Sequence, residues 1–146
     1  MLNAPLKLAD SAGMPAELVR STPLFPGVPY AYAACAPETG LIVTAGACPL
    51  DGHGQVVAAG DIAAQTSQAF DNLTIALEEC GANMRDVLKT TIFVASHSRQ
   101  DLIVAWNEVA AAFGRHDPPS TLLGVAVLGY PDQLVEIEAM AFVAPR

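Results

Sequence analysis

One segment constrains this chain more than any other. Between Asp61 and Gly81 the residues Ile62, Thr66, Ala69, Phe70, Leu73, Leu77 and Cys80 recur at helical spacing and share one face. Asp61 suits the N-cap, where its short carboxylate accepts from the free N–H groups of the first turn, and Gly81 suits the left-handed position that ends a helix. A helix with one apolar stripe must bury it against another layer. That layer is written on both sides of it. Tyr30–Cys35 and Leu41–Ala45 are apolar runs around the turn Pro37-Glu38-Thr39-Gly40, which predicts a hairpin. Val56 and Val57, beyond the turn Asp51-Gly52-His53-Gly54, could extend the sheet. Leu88–Ala95 (LKTTIFVA) is rich in β-branched residues and reads as a strand. A second helix is predicted over Gln100–Phe113, burying Leu102, Trp106, Val109 and Phe113; Gly114 stops it, and Pro118 and Pro119 keep it from resuming. Leu122–Leu128 (LLGVAVL) and Val135–Val143 (VEIEAMAFV) read as the last strands, separated by Gly129-Tyr130-Pro131-Asp132.

Two strands, helix, strand, helix, two strands is the order of an α+β sheet with its helices on one face. Residues 1–22 have no sustained period and read as an N-terminal arm, and residues 23–146 as a single domain without repeats. The strands are apolar on both parities, and the chain is 52% hydrophobic but only 15% charged. The second sheet face therefore needs a cover, and other copies of the chain are the natural one. Seven basic residues against fifteen acidic ones, net −8, leave no stripe to replace phosphate counterions, so nucleic acid is not an expected partner. No apolar run reaches the roughly 18 residues of a membrane span, so no membrane partner is expected either. Cys35, Cys48 and Cys80 form neither a disulfide framework nor a C-x-x-C pair, which fits a reduced, cytoplasmic protein. No His, Cys or carboxylate spacing matches a metal site, and Gly52 and Gly54 do not open a phosphate loop. No metal or cofactor is expected.

Alternation in the last strand puts Glu136, Glu138, Met140 and Phe142 on one side and Val135, Ile137, Ala139, Ala141 and Val143 on the other. A carboxylate beside apolar side chains is costly unless paired or hydrogen-bonded, and such groups suit proton transfer. Two readings stay open at this level: a solvated strand edge, or an active-site acid or base.

The segments GLIVTAGACPLD, AAQTSQAFDNLTIALEECG, DVLKTTIFVA and LVEIEAMAFV, in this order and spacing, resemble the Rid (YjgF) family of reactive-intermediate imine deaminases, and the likeness runs from Pro29 to Val143. The resemblance implies a chorismate-mutase-like α+β fold, with a mixed sheet and two helices on one face. It also implies a homotrimer with ligand clefts between subunits, and hydrolysis of small enamines or imines to a carbonyl compound and ammonia. The family's cleft tyrosine falls on Tyr30 and its water-orienting glutamate on Glu136. A carboxylate near an imine carbon can position or activate water, and a phenol can hold that water or donate to the developing amine.

The chain also departs from the family. Where the deaminases carry an arginine two residues before a cysteine, it reads Ser120-Thr121-Leu122, with Ser120 in place of the arginine and Leu122 in place of the cysteine. The arginine's planar fork grips a substrate carboxylate through two parallel hydrogen bonds, and a serine cannot. The resemblance thus implies a hydrolase for an activated small molecule other than a classical 2-imino acid, or alternatively a non-catalytic binding or regulatory trimer. Ser120, Thr121, Leu122, Phe93 and His97 are the expected substrate-binding residues, with His97 equally readable as a plain loop residue. Arg99 and Arg115 could replace the lost cation or simply be solvated. Cys48 reads as a packed thiol rather than a nucleophile, since no histidine lies near it in sequence.

Overall fold

The computed structural model describes residues 16–21 and 23–144. Its elements are β1 (Glu17–Val19), β2 (Ala33–Ala36), β3 (Leu41–Thr44), α1 (Ile62–Glu79), β4 (Val87–Ala95), α2 (Arg99–Phe113), β5 (Ser120–Val125) and β6 (Val135–Phe142), with a short 3-10 turn at Met84–Asp86. The strands form one six-stranded sheet in the order β1-β2-β3-β6-β4-β5. Only β4 and β5 are parallel, as the crossover through α2 requires; every other neighbouring pair is antiparallel. This is the mixed sheet with two helices on one face that the sequence predicts.

The signals around α1 act as expected. Asp61 Oδ1 accepts from the Ala64 N–H at 2.9 Å, and Gly81 takes a φ of 77° just beyond the end. Leu73 and Leu77 of α1 and Val109 of α2 meet Ile92, Val94, Val135 and Ile137 of the sheet, all fully buried. Along β6 the alternation is kept: Val135, Ile137, Ala139 and Ala141 are buried, while Glu136, Glu138, Met140 and Phe142 face the other way.

Several boundaries differ from the sequence reading: β2 begins at Ala33 rather than Tyr30, and α2 and β6 shift by one residue at one end. Three further differences have a clear physical reason. Residues 1–15 of the expected arm lie outside the described residues, but Glu17–Val19 pair antiparallel with Ala33–Cys35 as an edge strand. Three residues are too few to show a period, so pairing with β2 rather than local pattern defines them. β5 begins at Ser120 and stops at Val125, because parallel pairing with Thr90–Ala95 sets its length. Val56 contributes an isolated bridge to Leu50 rather than a strand.

The face away from the helices is open. Leu41, Val43, Leu123, Met140 and Phe142 lie on it with 37–44% of their surface exposed. Large apolar side chains spread over several neighbouring strands form a contiguous patch of the kind that marks an interaction surface.

Candidate functional site

The site forms where the segment after β3 is laid against the start of β6. The Ala47 N–H donates to the Ile137 carbonyl at 2.7 Å and the Ile137 N–H returns to the Ala47 carbonyl at 3.1 Å. This places Gly46 against the Glu136 side chain. A Cβ at Gly46 would lie 2.6 Å from both Cγ and Oε2 of Glu136, so only glycine leaves room for the carboxylate.

Glu136 is half-buried, and one of its oxygens is held from two sides. Cys48 Sγ–H donates to Oε1 at 3.2 Å, and Gln133 Nε2 donates to the same oxygen at 3.4 Å and to the Val135 carbonyl at 3.1 Å. Glu136, Gly46, Cys48, Ala45, Tyr30, Gly129 and Tyr130 line a cavity of about 330 Å³. Across it the Tyr30 and Tyr130 hydroxyls are 3.2 Å apart. The Tyr30 ring stands edge-on to Tyr32, with centroids 6.0 Å apart at 77°, and the Tyr32 hydroxyl is anchored on the Phe25 carbonyl at 2.5 Å. A smaller cavity of about 190 Å³ lies beside the first and shares Tyr30, Ala45 and Cys48 with it. Glu136 borders only the larger one.

Two buried amides fix the loops that carry these groups. Gln65 of α1 is fully buried; its Nε2 donates to the Asp132 carbonyl at 2.9 Å and its Oε1 accepts from the Leu134 N–H at 2.7 Å. Asn72, one face of α1 further on, donates from Nδ2 to the carbonyls of Cys48 and Leu50, both at 2.9 Å. Gln133 Oε1 then accepts from the Tyr130 N–H at 3.1 Å, which links the tyrosine and the carboxylate through one residue.

Burial sets the protonation of the cavity wall. It pushes the Tyr30 phenol well above its ordinary range, with the Tyr130 hydrogen bond adding to the effect, and raises Tyr32 to about 12. The Cys48 thiol is pushed up to about 12, first by burial and then by the neighbouring Glu136 carboxylate. Near neutral pH the phenols and the thiol therefore keep their protons. The cavity holds a fixed carboxylate facing protonated donors, an arrangement able to take a proton from water and return one to a leaving group.

Of the residues expected from the sequence, the cavity brings together Glu136 and Tyr30. Phe93 sits directly across from Glu136 on β4, with Leu123 of β5 beyond it, on the open face. Glu138 is on the same face opposite Thr91. Thr121 is there too, and its hydroxyl accepts from the Lys89 ammonium. Ser120 and Leu122 point the other way: Ser120 Oγ is 2.6 Å from Thr90 Oγ1 and donates to the Pro118 carbonyl at 3.0 Å, while Leu122 packs on the core beneath the helices. On β5 it is Thr121, not Ser120, that shares the face of Glu136. His97, Arg99 and Arg115 are exposed and line neither cavity. Among the described residues, no three His, Cys, Asp or Glu side chains are grouped to hold a metal ion.

Sequence reasoning missed Tyr130, Gln133 and Lys89. Tyr130 lies inside Gly129-Tyr130-Pro131-Asp132, whose turn signal accounts for the segment without asking where the aromatic ring points. The one signal that Gln133 carries in the sequence is its place three residues before the first strand carboxylate.

The family model described as endoribonuclease L-PSP matches residues 24–143. Among solved structures, a member of the YjgF/YER057c/UK114 family from Mycobacterium tuberculosis is 34% identical, with a TM-score of 0.69, covering 88% of this chain and 99% of its own. The YjgF gene product of E. coli is 30% identical, with a TM-score of 0.72, covering 86% of this chain and 98% of its own. A Rid-family protein of unknown function from Yersinia pestis is 28% identical, with a TM-score of 0.73, covering 88% and 99%.

Proposed function

We infer a function from the fact that this chain belongs to the endoribonuclease L-PSP family, also called YjgF or Rid: it is a hydrolase of reactive imines or enamines, working in clefts between three copies of itself. The observation that carries this reading is the Glu136 carboxylate, pinned at Oε1 and facing the Tyr30–Tyr130 hydroxyl pair across one cavity. An imine bound there meets a water that Glu136 orients. The water oxygen bonds to the C=N carbon while Glu136 takes one water proton and passes it to the nitrogen, giving a carbinolamine. Glu136 then takes the hydroxyl proton and delivers it to the nitrogen as the C–O double bond forms and the C–N bond breaks, releasing a carbonyl compound and ammonia and restoring the carboxylate. Tyr30, which keeps its proton, donates to the nitrogen as negative charge or basicity develops on it. The apolar open face supports closure by further copies, which would turn the cavity mouth into an inter-subunit cleft.

The substrate class follows from what borders β5. Among the described residues no arginine lies on β5; Thr121 and the Lys89 ammonium occupy the open face, and Lys89 is a point charge without bidentate geometry. Losing a charge-assisted pair removes roughly 1.5–3 kcal/mol of carboxylate binding, which favours uncharged or differently anchored imines over 2-imino acids. RNA cleavage is no part of this reading, given fifteen acidic against seven basic residues.

The test is competitive hydrolysis of imines generated in place by an amine or amino-acid oxidase, followed by ammonia release. The wild type is expected to hydrolyse uncharged imines faster than 2-iminopropionate, and Glu136→Gln to lose on the order of 100-fold in turnover. Thr121→Arg is expected to gain activity on 2-iminopropionate; Ser120→Arg, facing the helices, is not. Unchanged turnover in Glu136→Gln overturns the mechanism. The missing arginine also favours a second reading, a trimer that binds a small molecule without turning it over. In that case the wild type is inactive on every imine, and Glu136→Gln changes only ligand affinity.

A further inference from the structure

Cys48 is a buried, protonated thiol in the cavity wall to which the proposed reaction gives no role. Its thiol lies 3.2 Å from Glu136 Oε1 and 3.6 Å from the Gly46 carbonyl, its residue is only 7% exposed, and its own carbonyl is fixed by Asn72. A carboxylate has two equivalent oxygens, and free rotation would let either one meet the ligand. Here Oε1 receives Cys48 and Gln133, while Oε2 lies over Gly46, which lines the cavity.

We propose that Cys48 is a positioning residue: its S–H donates to Oε1 of Glu136 and holds that oxygen beside Gln133, so that Oε2 is the oxygen presented to the attacking water. The thiol forms no bond to substrate and keeps its proton throughout. This rests on the reading of Glu136 as the group that handles water, so the test has one arm that needs no activity. Among the described residues the sulfur's hydrogen-bond contacts are the Glu136 carboxylate and the Gly46 carbonyl. Burial is the larger cause of the thiol's raised pKa and Glu136 the next, so exchanging Glu136 for glutamine, with burial kept, isolates the share that belongs to the carboxylate.

The first arm measures the rate of iodoacetamide labelling of Cys48 at about pH 8, where the fold is intact, read by mass spectrometry of the Cys48 peptide, in wild type and Glu136→Gln. Removing the carboxylate lowers the thiol's pKa and is expected to raise the labelling rate about tenfold; an unchanged rate overturns the contact and the proposal with it. The second arm compares Cys48→Ala with Cys48→Ser in imine hydrolysis. Ala is expected to lower kcat roughly tenfold with KM little changed, since the donor is lost but the pocket remains, and Ser is expected to restore most of kcat because a hydroxyl also donates. Equal loss in both variants, or none in either, overturns the positioning role. If the wild type turns over no imine but the labelling rate still rises in Glu136→Gln, the hydrolase reading falls while the thiol–carboxylate bond stands.

Discussion

Replacing Gly46 by alanine puts the geometry of the site under direct strain. Gly46 is not in the left-handed region, so alanine meets no backbone penalty and only the contact with Glu136 decides the outcome. The added methyl would sit 2.6 Å from Cγ and Oε2, whereas ordinary van der Waals contact begins near 3.4 Å. The carboxylate must therefore retreat by about 1 Å, and a displacement of that size at a reacting group costs on the order of 100-fold in rate. Overpacking costs about 1–3 kcal/mol, partly offset by up to about 1 kcal/mol from a stiffer unfolded chain. A net loss near 1 kcal/mol lowers Tm by roughly 2–4 °C in a domain of this size. The assay is imine hydrolysis beside thermal unfolding, with Gly52→Ala as the control, since a methyl there meets nothing within 4 Å. The expected pattern is a large rate loss on a small stability loss. A Gly46→Ala protein that turns over within twofold of wild type refutes the claim that this glycine holds the place of the carboxylate.

Gln65→Leu keeps the volume of the buried amide but strands the Leu134 N–H and the Asp132 carbonyl, and should cost about 2–4 kcal/mol in urea unfolding while loosening the Tyr130 loop; a loss under 0.5 kcal/mol contradicts the structure. Light scattering should return three times the monomer mass of 15.2 kDa, and Met140→Asp, which puts a charge in the open face, should shift the mass toward the monomer without unfolding the chain. Stability should also fall in alkali. Cys48 and Tyr32 are both raised to about 12 in the fold, so the unfolded chain releases those protons first. Their contribution is complete below the unfolded thiol's pKa of about 8.5 and is lost as pH rises toward 12. Urea midpoints measured from pH 8 to 11 should decline steadily, with a shallower decline in Cys48→Ala.

The helices and the last strand were legible because local signals and tertiary demand agree there: Asp61 and Gly81 bracket α1, Gly114 ends α2, and β6 alternates as its residues do. β1 was not legible, since three residues without a period are a strand only by virtue of β2 beside them. Glu136 and Tyr30 could be singled out from alternation and likeness. The face of Ser120 could not be, because a one-residue difference in register turns a β-strand side chain over, and only the Thr90–Ser120 pairing decides it. Gln65 escaped notice for a related reason. A glutamine on a helix reads as solvated until the loop it supports is known, and that loop lies 67 residues away in sequence.

The alternation along β6 has a bearing on how this protein can fail. Eight residues serve two masters: one parity closes the hydrophobic interior and the other carries the carboxylates. Were the strand to pair one residue out of step, Glu136 and Glu138 would be driven beneath the helices and Ile137 and Ala139 turned outward. Two buried, unpartnered charges would cost far more than a domain's whole margin of stability. A compact but chemically mute version of the sheet is thus unavailable to the chain. Whatever quality control acts on misfolded copies in the cell also polices the placement of the Glu136 and Glu138 carboxylates.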